Sequence, residues 1–98
     1  MTSGADKKIR SASAELSMAV DAIEAGVYQR AIASLRKGIA VIGDSYASDD
    51  VIDETGMKIL LADTSLREGR EREAAELLRR ALETRLELLI ELTQRRPR

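Results

Sequence analysis

Hydrophobic residues in this chain return every three or four positions almost from end to end. Ile9, Ala12, Leu16, Ala19, Val20, Ile23 and Val27 form one such series, the mark of a helix with a single buried stripe. Tyr28, Ile32, Leu35, Ile39, Ile42 and Tyr46 form a second, in alternating steps of four and three. Ile52, Gly56, Ile59, Leu60 and Leu66 make a weaker third, and Ala74, Leu78, Ala81, Leu82, Leu86 and Leu89 a strong fourth. The breaks carry turn chemistry. Gly26 ends the first series and Gly69 the third, and a glycine after a helix takes the left-handed conformation that closes it. Between the second and third series, Gly43 to Asp50 is rich in Asp and Ser, whose side-chain oxygens accept the free N–H groups of a helix start. The pattern predicts an all-α domain over residues 1–98, with helices near 6–25, 28–46, 50–68 and 70–95 and flexible ends at 1–6 and 95–98.

Setting Gly26 on Gly69, a spacing of 43, brings fourteen positions into correspondence, 26–39 over 69–82. Gly26/Gly69, Ala31/Ala74, Leu35/Leu78 and Arg36/Arg79 are identical, while Lys37/Arg80, Gly38/Ala81 and Ile39/Leu82 match in kind. The physical reading is one helical hairpin used twice, about 9–46 and 50–94. A turn glycine leads to a small residue where two helices approach closely, a leucine fills the next turn, and a second small residue closes the contact.

Those positions resemble the turn and second helix of a tetratricopeptide repeat. They are Gly26-x-Tyr28-x-x-Ala31-Ile32-x-x-Leu35-x-x-Gly38-Ile39 and Gly69-x-x-x-x-Ala74-x-x-x-Leu78-x-x-Ala81-Leu82. The spacing is longer than that family's usual ~34 residues and looks more like its long-helix, kinesin-light-chain-like variant. The resemblance implies two helical hairpins stacked as a fragment of an α-α superhelix, with the first helix of each lining a concave face. By resemblance the groove then holds Ser13, Leu16, Val20, Ile23 and Glu24 from the first repeat, and Gly56, Ile59, Asp63, Leu66 and Arg67 from the second. Leu16, Val20 and Ile59 stand where relatives that grip a terminal carboxylate carry Lys, Arg and Asn. The implied occupant is therefore an amphipathic segment of a protein partner, or of another copy of the chain. The alternative is that these residues form the internal core of a plain four-helix bundle.

Helix four is apolar beyond one face. Beside the stripe through Leu78, Leu82 and Leu89 runs a second through Leu77, Ala81, Leu88 and Leu92, with Ile90 outside both. This pattern predicts self-association, most simply a two-fold homodimer through Leu77, Leu88, Ile90 and Leu92.

Composition narrows the function. The apolar content is aliphatic, with two Tyr and neither Phe nor Trp. Sixteen basic and seventeen acidic residues leave a net charge of −1, which argues against nucleic-acid binding as the main role. Cysteine and histidine are both absent, removing thiolate chemistry, the commonest general base and the commonest metal ligand. An enzyme is not expected, nor a cofactor or metal. Asp44, Asp49, Asp50, Asp53 and Glu54 lack the ligand spacing of a calcium loop and read as caps and dipole partners. Asp63 is the one carboxylate at an apolar groove position, and its plain reading is an ion pair with Arg67 one turn on. Glu76–Arg80 and Glu91–Arg95 fall at the same spacing. Arg95, Arg96 and Arg98 offer a weaker alternative, contact with a phosphate backbone. No apolar run reaches the ~18–20 residues that span a bilayer, and a cytoplasmic location is expected. The leading expectation is a non-enzymatic adaptor that self-associates and holds a partner segment in an apolar groove.

Overall fold

The computed structural model describes residues 4–95. Four helices follow in order: α1 (Gly4–Glu24), α2 (Tyr28–Ile42), α3 (Asp49–Arg67) and α4 (Glu71–Gln94). Helix α2 stops four residues short of the expected end, because Gly43 takes φ +68° and returns its N–H to the Ile39 carbonyl. Helix α3 starts where the acidic stretch predicts. Ser48 is its N-cap, accepting from the Val51 N–H at 3.5 Å, and Asp49 and Asp50 fill the first turn, where carboxylates meet the positive end of the dipole. Of the ends expected to be flexible, residues 4–6 are the start of α1 and Arg95 caps α4, while 1–3 and 96–98 lie outside the described residues.

The two hairpin turns are copies. Gly26 has φ +77° and Gly69 +78°. The next residues, Val27 and Arg70, sit at φ −97°, ψ 73° and φ −94°, ψ 71°. The Gly26 N–H donates to Ile23 and the Val27 N–H to Ala22; 43 residues on, Gly69 donates to Leu66 and Arg70 to Ser65. This is the Schellman arrangement, which satisfies the last carbonyls of one helix and reverses the chain. Neither following helix has a side-chain cap, so the backbone alone makes the turn.

The copying extends through both helices. Ala12, Ala19 and Ala22 are buried in α1, and Thr55, Ala62 and Ser65 at the same offset in α3. Ala31, Leu35, Gly38 and Ile42 are buried in α2, and Ala74, Leu78, Ala81 and Arg85 in α4. Small side chains along α1 let α2 come close. A Cβ on Gly38 would stand 2.7 Å from Leu82 Cδ2 and 3.4 Å from Glu15 Cβ, so glycine there admits α1 and α4 to the same turn of α2.

The two hairpins lie side by side in the same sense. Gly26 and Gly69 line one shallow cavity of about 740 Å³ at one end of the molecule, and Gly38 meets Leu82 at the matching level farther along. Thus α2 and α4 run parallel and in step. Helix α4 is the hub: it packs against α1, α2 and α3, whereas among the described residues the backbone of α3 packs on α4 alone. The result is a flat body, 48 × 27 × 15 Å, with the core along α4.

Candidate interaction surfaces

The six residues expected to share a groove lie on two helices, Leu16, Val20 and Ile23 on α1 and Ile59, Asp63 and Leu66 on α3. Among the described residues, the backbones of α1 and α3 do not come into contact. Leu16, Ile23, Ile59 and Leu66 are half-buried and pack onto the core, and Val20 and Asp63 are half-buried beside them. Asp63 pairs with Arg36 of α2, Oδ1 to Nη2 at 2.9 Å, rather than with Arg67 one turn on. That bond crosses from α3 to the first hairpin. With both side chains about half exposed, it contributes roughly 0.2–1 kcal/mol.

Helix α4 absorbs most of its apolar excess through its three neighbours. Leu77 and Ile90 pack on the core and Leu88 is half-buried, leaving Leu92, 40% exposed, as the large remainder. The charged side of α4 carries Glu91–Arg95 at 2.8 Å, as the spacing predicts, and Arg79–Glu83 at 3.6 Å. Arg95 is thus paired, and Arg96 and Arg98 lie outside the described residues.

Among the described residues, three of the six exposed large apolar side chains gather on α3. Met57, Leu60 and Leu61 are 58, 64 and 48% exposed, and Thr64 continues their line one turn on. Buried Thr55, Ala62 and Ser65 mark the opposite side of α3, against α4. The equivalent positions of α1 are Ala14, Ser17, Met18 and Asp21, of which Met18 is the one large apolar side chain exposed. Leu60 already belonged to the third hydrophobic series. Its neighbours Met57 and Leu61 were the signal of a second stripe on that helix.

A second feature escaped the sequence reading. Arg85 is 7% exposed on the core side of α4, where the first copy has Ile42. Its Nε donates to Thr55 Oγ1 at 2.9 Å, and that hydroxyl donates to the Val51 carbonyl at 2.6 Å. The Tyr46 hydroxyl donates to the Arg85 carbonyl at 3.0 Å. Among the described residues no carboxylate lies within ion-pair distance of the guanidinium. Burial, which the nearby Arg85 charge partly counters, raises the Tyr46 pKa, keeping its hydroxyl a donor. The cluster pins the α2–α3 loop and the start of α3 to α4.

Among the described residues no group of three or more acidic side chains is gathered as a metal would need, and no helix is long and apolar enough to cross a membrane. Comparison with known proteins finds no matching family model, no matching curated protein and no matching solved structure.

Proposed function

We propose that this chain is a non-enzymatic protein-interaction module, built as two tetratricopeptide-like hairpins, whose docking surface is the outer face of α3. The observation that carries the reading is the contrast between equivalent positions. Met57 and Leu60 stand exposed where the first hairpin has Ala14 and Ser17. A copied scaffold keeps the residues its own core needs; large apolar side chains added on the solvent side serve something outside it. Met57 contributes a flexible, polarisable contact suited to such a surface. The absence of His and Cys supports a binding role over a catalytic one.

The test is paired capture from native extract with the wild-type chain and with the double variant Leu60→Glu/Leu61→Glu as bait. Both positions are solvent-facing, so circular dichroism should be unchanged. A protein retained by the wild type and lost from the variant is expected. Equal retention by both would refute the assignment of this face.

A further inference from the structure

The occupant of the α3 face can be read from the rest of the molecule. We infer that it is a second copy of this chain, docking its α1–α2 groove over the α3 ridge of its neighbour, so that copies join head to tail. This inference rests on the reading of α3 as a docking surface and names its partner.

The groove is formed by the first hairpin alone. Ser11, Ala14, Glu15 and Met18 of α1 face Ala33, Ser34, Lys37 and Val41 of α2 across three adjoining openings that share Glu15, Met18, Ser34 and Lys37. The two larger openings measure about 390 and 410 Å³. No residue of α3 or α4 lines them. From Ser11 to Ala25 the groove runs for roughly 21 Å along α1, and the ridge from Asp53 to Thr64 for roughly 17 Å along α3, at ~1.5 Å per residue.

Groove and ridge share two equivalent positions, 14/57 and 18/61, and the α2 wall of the groove corresponds to α4. Ala14 becomes Met57, Met18 becomes Leu61, Ala33 becomes Glu76 and Ser34 becomes Leu77. At Ala14, Ala33 and Ser34 small residues hollow the first hairpin where larger ones stand in the second, while Met18 and Leu61 are of similar size. Exposed Met18 and Val27 give the groove apolar walls to receive Met57, Leu60 and Leu61.

Charge follows the same division. Residues 1–40 carry six basic and four acidic side chains, and residues 41–67 two basic and six acidic. Within the copies, Lys7 and Arg10 at the start of α1 correspond to Asp50 and Asp53 at the start of α3, all exposed. Arg30 and Lys37 border the groove. Asp21 lines it too, and Glu15 has a buried Oε2 with no hydrogen-bond partner. A positive hairpin therefore faces a negative one in a head-to-tail contact, while a two-fold contact of α3 with α3 would bring two net-acidic helices together. The contact is heterologous, so each added copy leaves one groove and one ridge open.

The experiment uses two full-length variants. Leu60→Glu/Leu61→Glu destroys the ridge and keeps the groove; Ala14→Leu/Ala33→Leu fills the groove at two exposed helical positions and keeps the ridge. Circular dichroism and urea unfolding verify that both fold. In sedimentation, the wild type should grow with concentration past the dimer, and each variant alone should associate at least ~100-fold more weakly, as removal of central anchors does. An equimolar mixture of the variants should form a discrete heterodimer with wild-type affinity, from the one intact ridge and the one intact groove. Raising salt from 0.05 to 0.5 M should weaken it about tenfold or more, because the complementary charges are exposed. Wild-type association by the groove-filled variant, or no heterodimer in the mixture, would overturn the head-to-tail contact while leaving the α3 face as the docking surface. A wild-type monomer at high micromolar concentration would also overturn it, and the paired capture then judges the docking surface separately.

Discussion

The two hairpins share a turn, a burial pattern and a direction, yet they differ at the two places where a copied unit is free to differ. One is the exterior, where Ala14 and Ser17 face Met57 and Leu60 across the offset of 43. The other is the core, where Ala12 and Ala22 give way to Thr55 and Ser65 and, most sharply, Ile42 gives way to Arg85. The lesson is a division of labour. Ala31/Ala74 and Leu35/Leu78 maintain the scaffold, and the substitutions around them give one hairpin a hollow and the other a crest.

If the scaffold is common to both copies, damage to it should be similar in either. Leu35→Ala and Leu78→Ala remove equivalent, fully buried side chains, and each should lower unfolding free energy by about 2–5 kcal/mol. Urea titrations of both variants check this. A loss confined to one would mean that the hairpins do not share their core.

The Arg85 position sharpens the comparison. Thr55→Val takes away the acceptor of Arg85 Nε and should cost about 1–3 kcal/mol, the penalty for a buried donor left unsatisfied. Arg85→Ile restores the residue of the first copy. It removes a buried charge together with its polar needs, and should leave stability unchanged or raise it by about 1–4 kcal/mol. A large loss on Arg85→Ile would show instead that the guanidinium is a structural tie.

The smallest effect belongs to Tyr46. Its pKa is raised in the fold, so the folded chain holds the phenolic proton more tightly than the unfolded one. The contribution of the hydroxyl is complete below the usual tyrosine pKa near 10 and is lost as pH rises through the higher folded value. Tyr46→Phe should cost about 0.5–1.5 kcal/mol at neutral pH and make stability less sensitive to pH above 10. Urea unfolding from pH 8 to 11 reads both.

Much of this architecture was written in local patterns. Gly26 and Gly69 announced their turns because a left-handed residue after a helical stripe has few alternatives. Gly38 announced a close approach because a glycine inside a helix is otherwise unfavourable. What escaped was set by tertiary contact. Tyr46 continues the helical spacing after Ile42 and so extends the expected α2; the tyrosine does pack on the core, but from a loop. Arg85 sits on the buried stripe beside Leu82 and Leu86, where a charged residue carries no local sign that its partner is Thr55, thirty residues away. Asp63 was paired with its neighbour in sequence, since only folding brings Arg36 to it.

Among the described residues, α3 packs its backbone on α4 and reaches a second helix, α2, only through the Asp63–Arg36 pair, whereas α1 packs on two. The domain therefore has a built-in order of release. Its α3 segment is expected to open at less than the full free energy of unfolding, breaking the Arg85–Thr55 and Asp63–Arg36 bonds while α1, α2 and α4 stay together. Amide protons in α3 would then exchange with solvent sooner than those of its counterpart α1, which makes the third helix the hinged door of an otherwise closed three-helix frame.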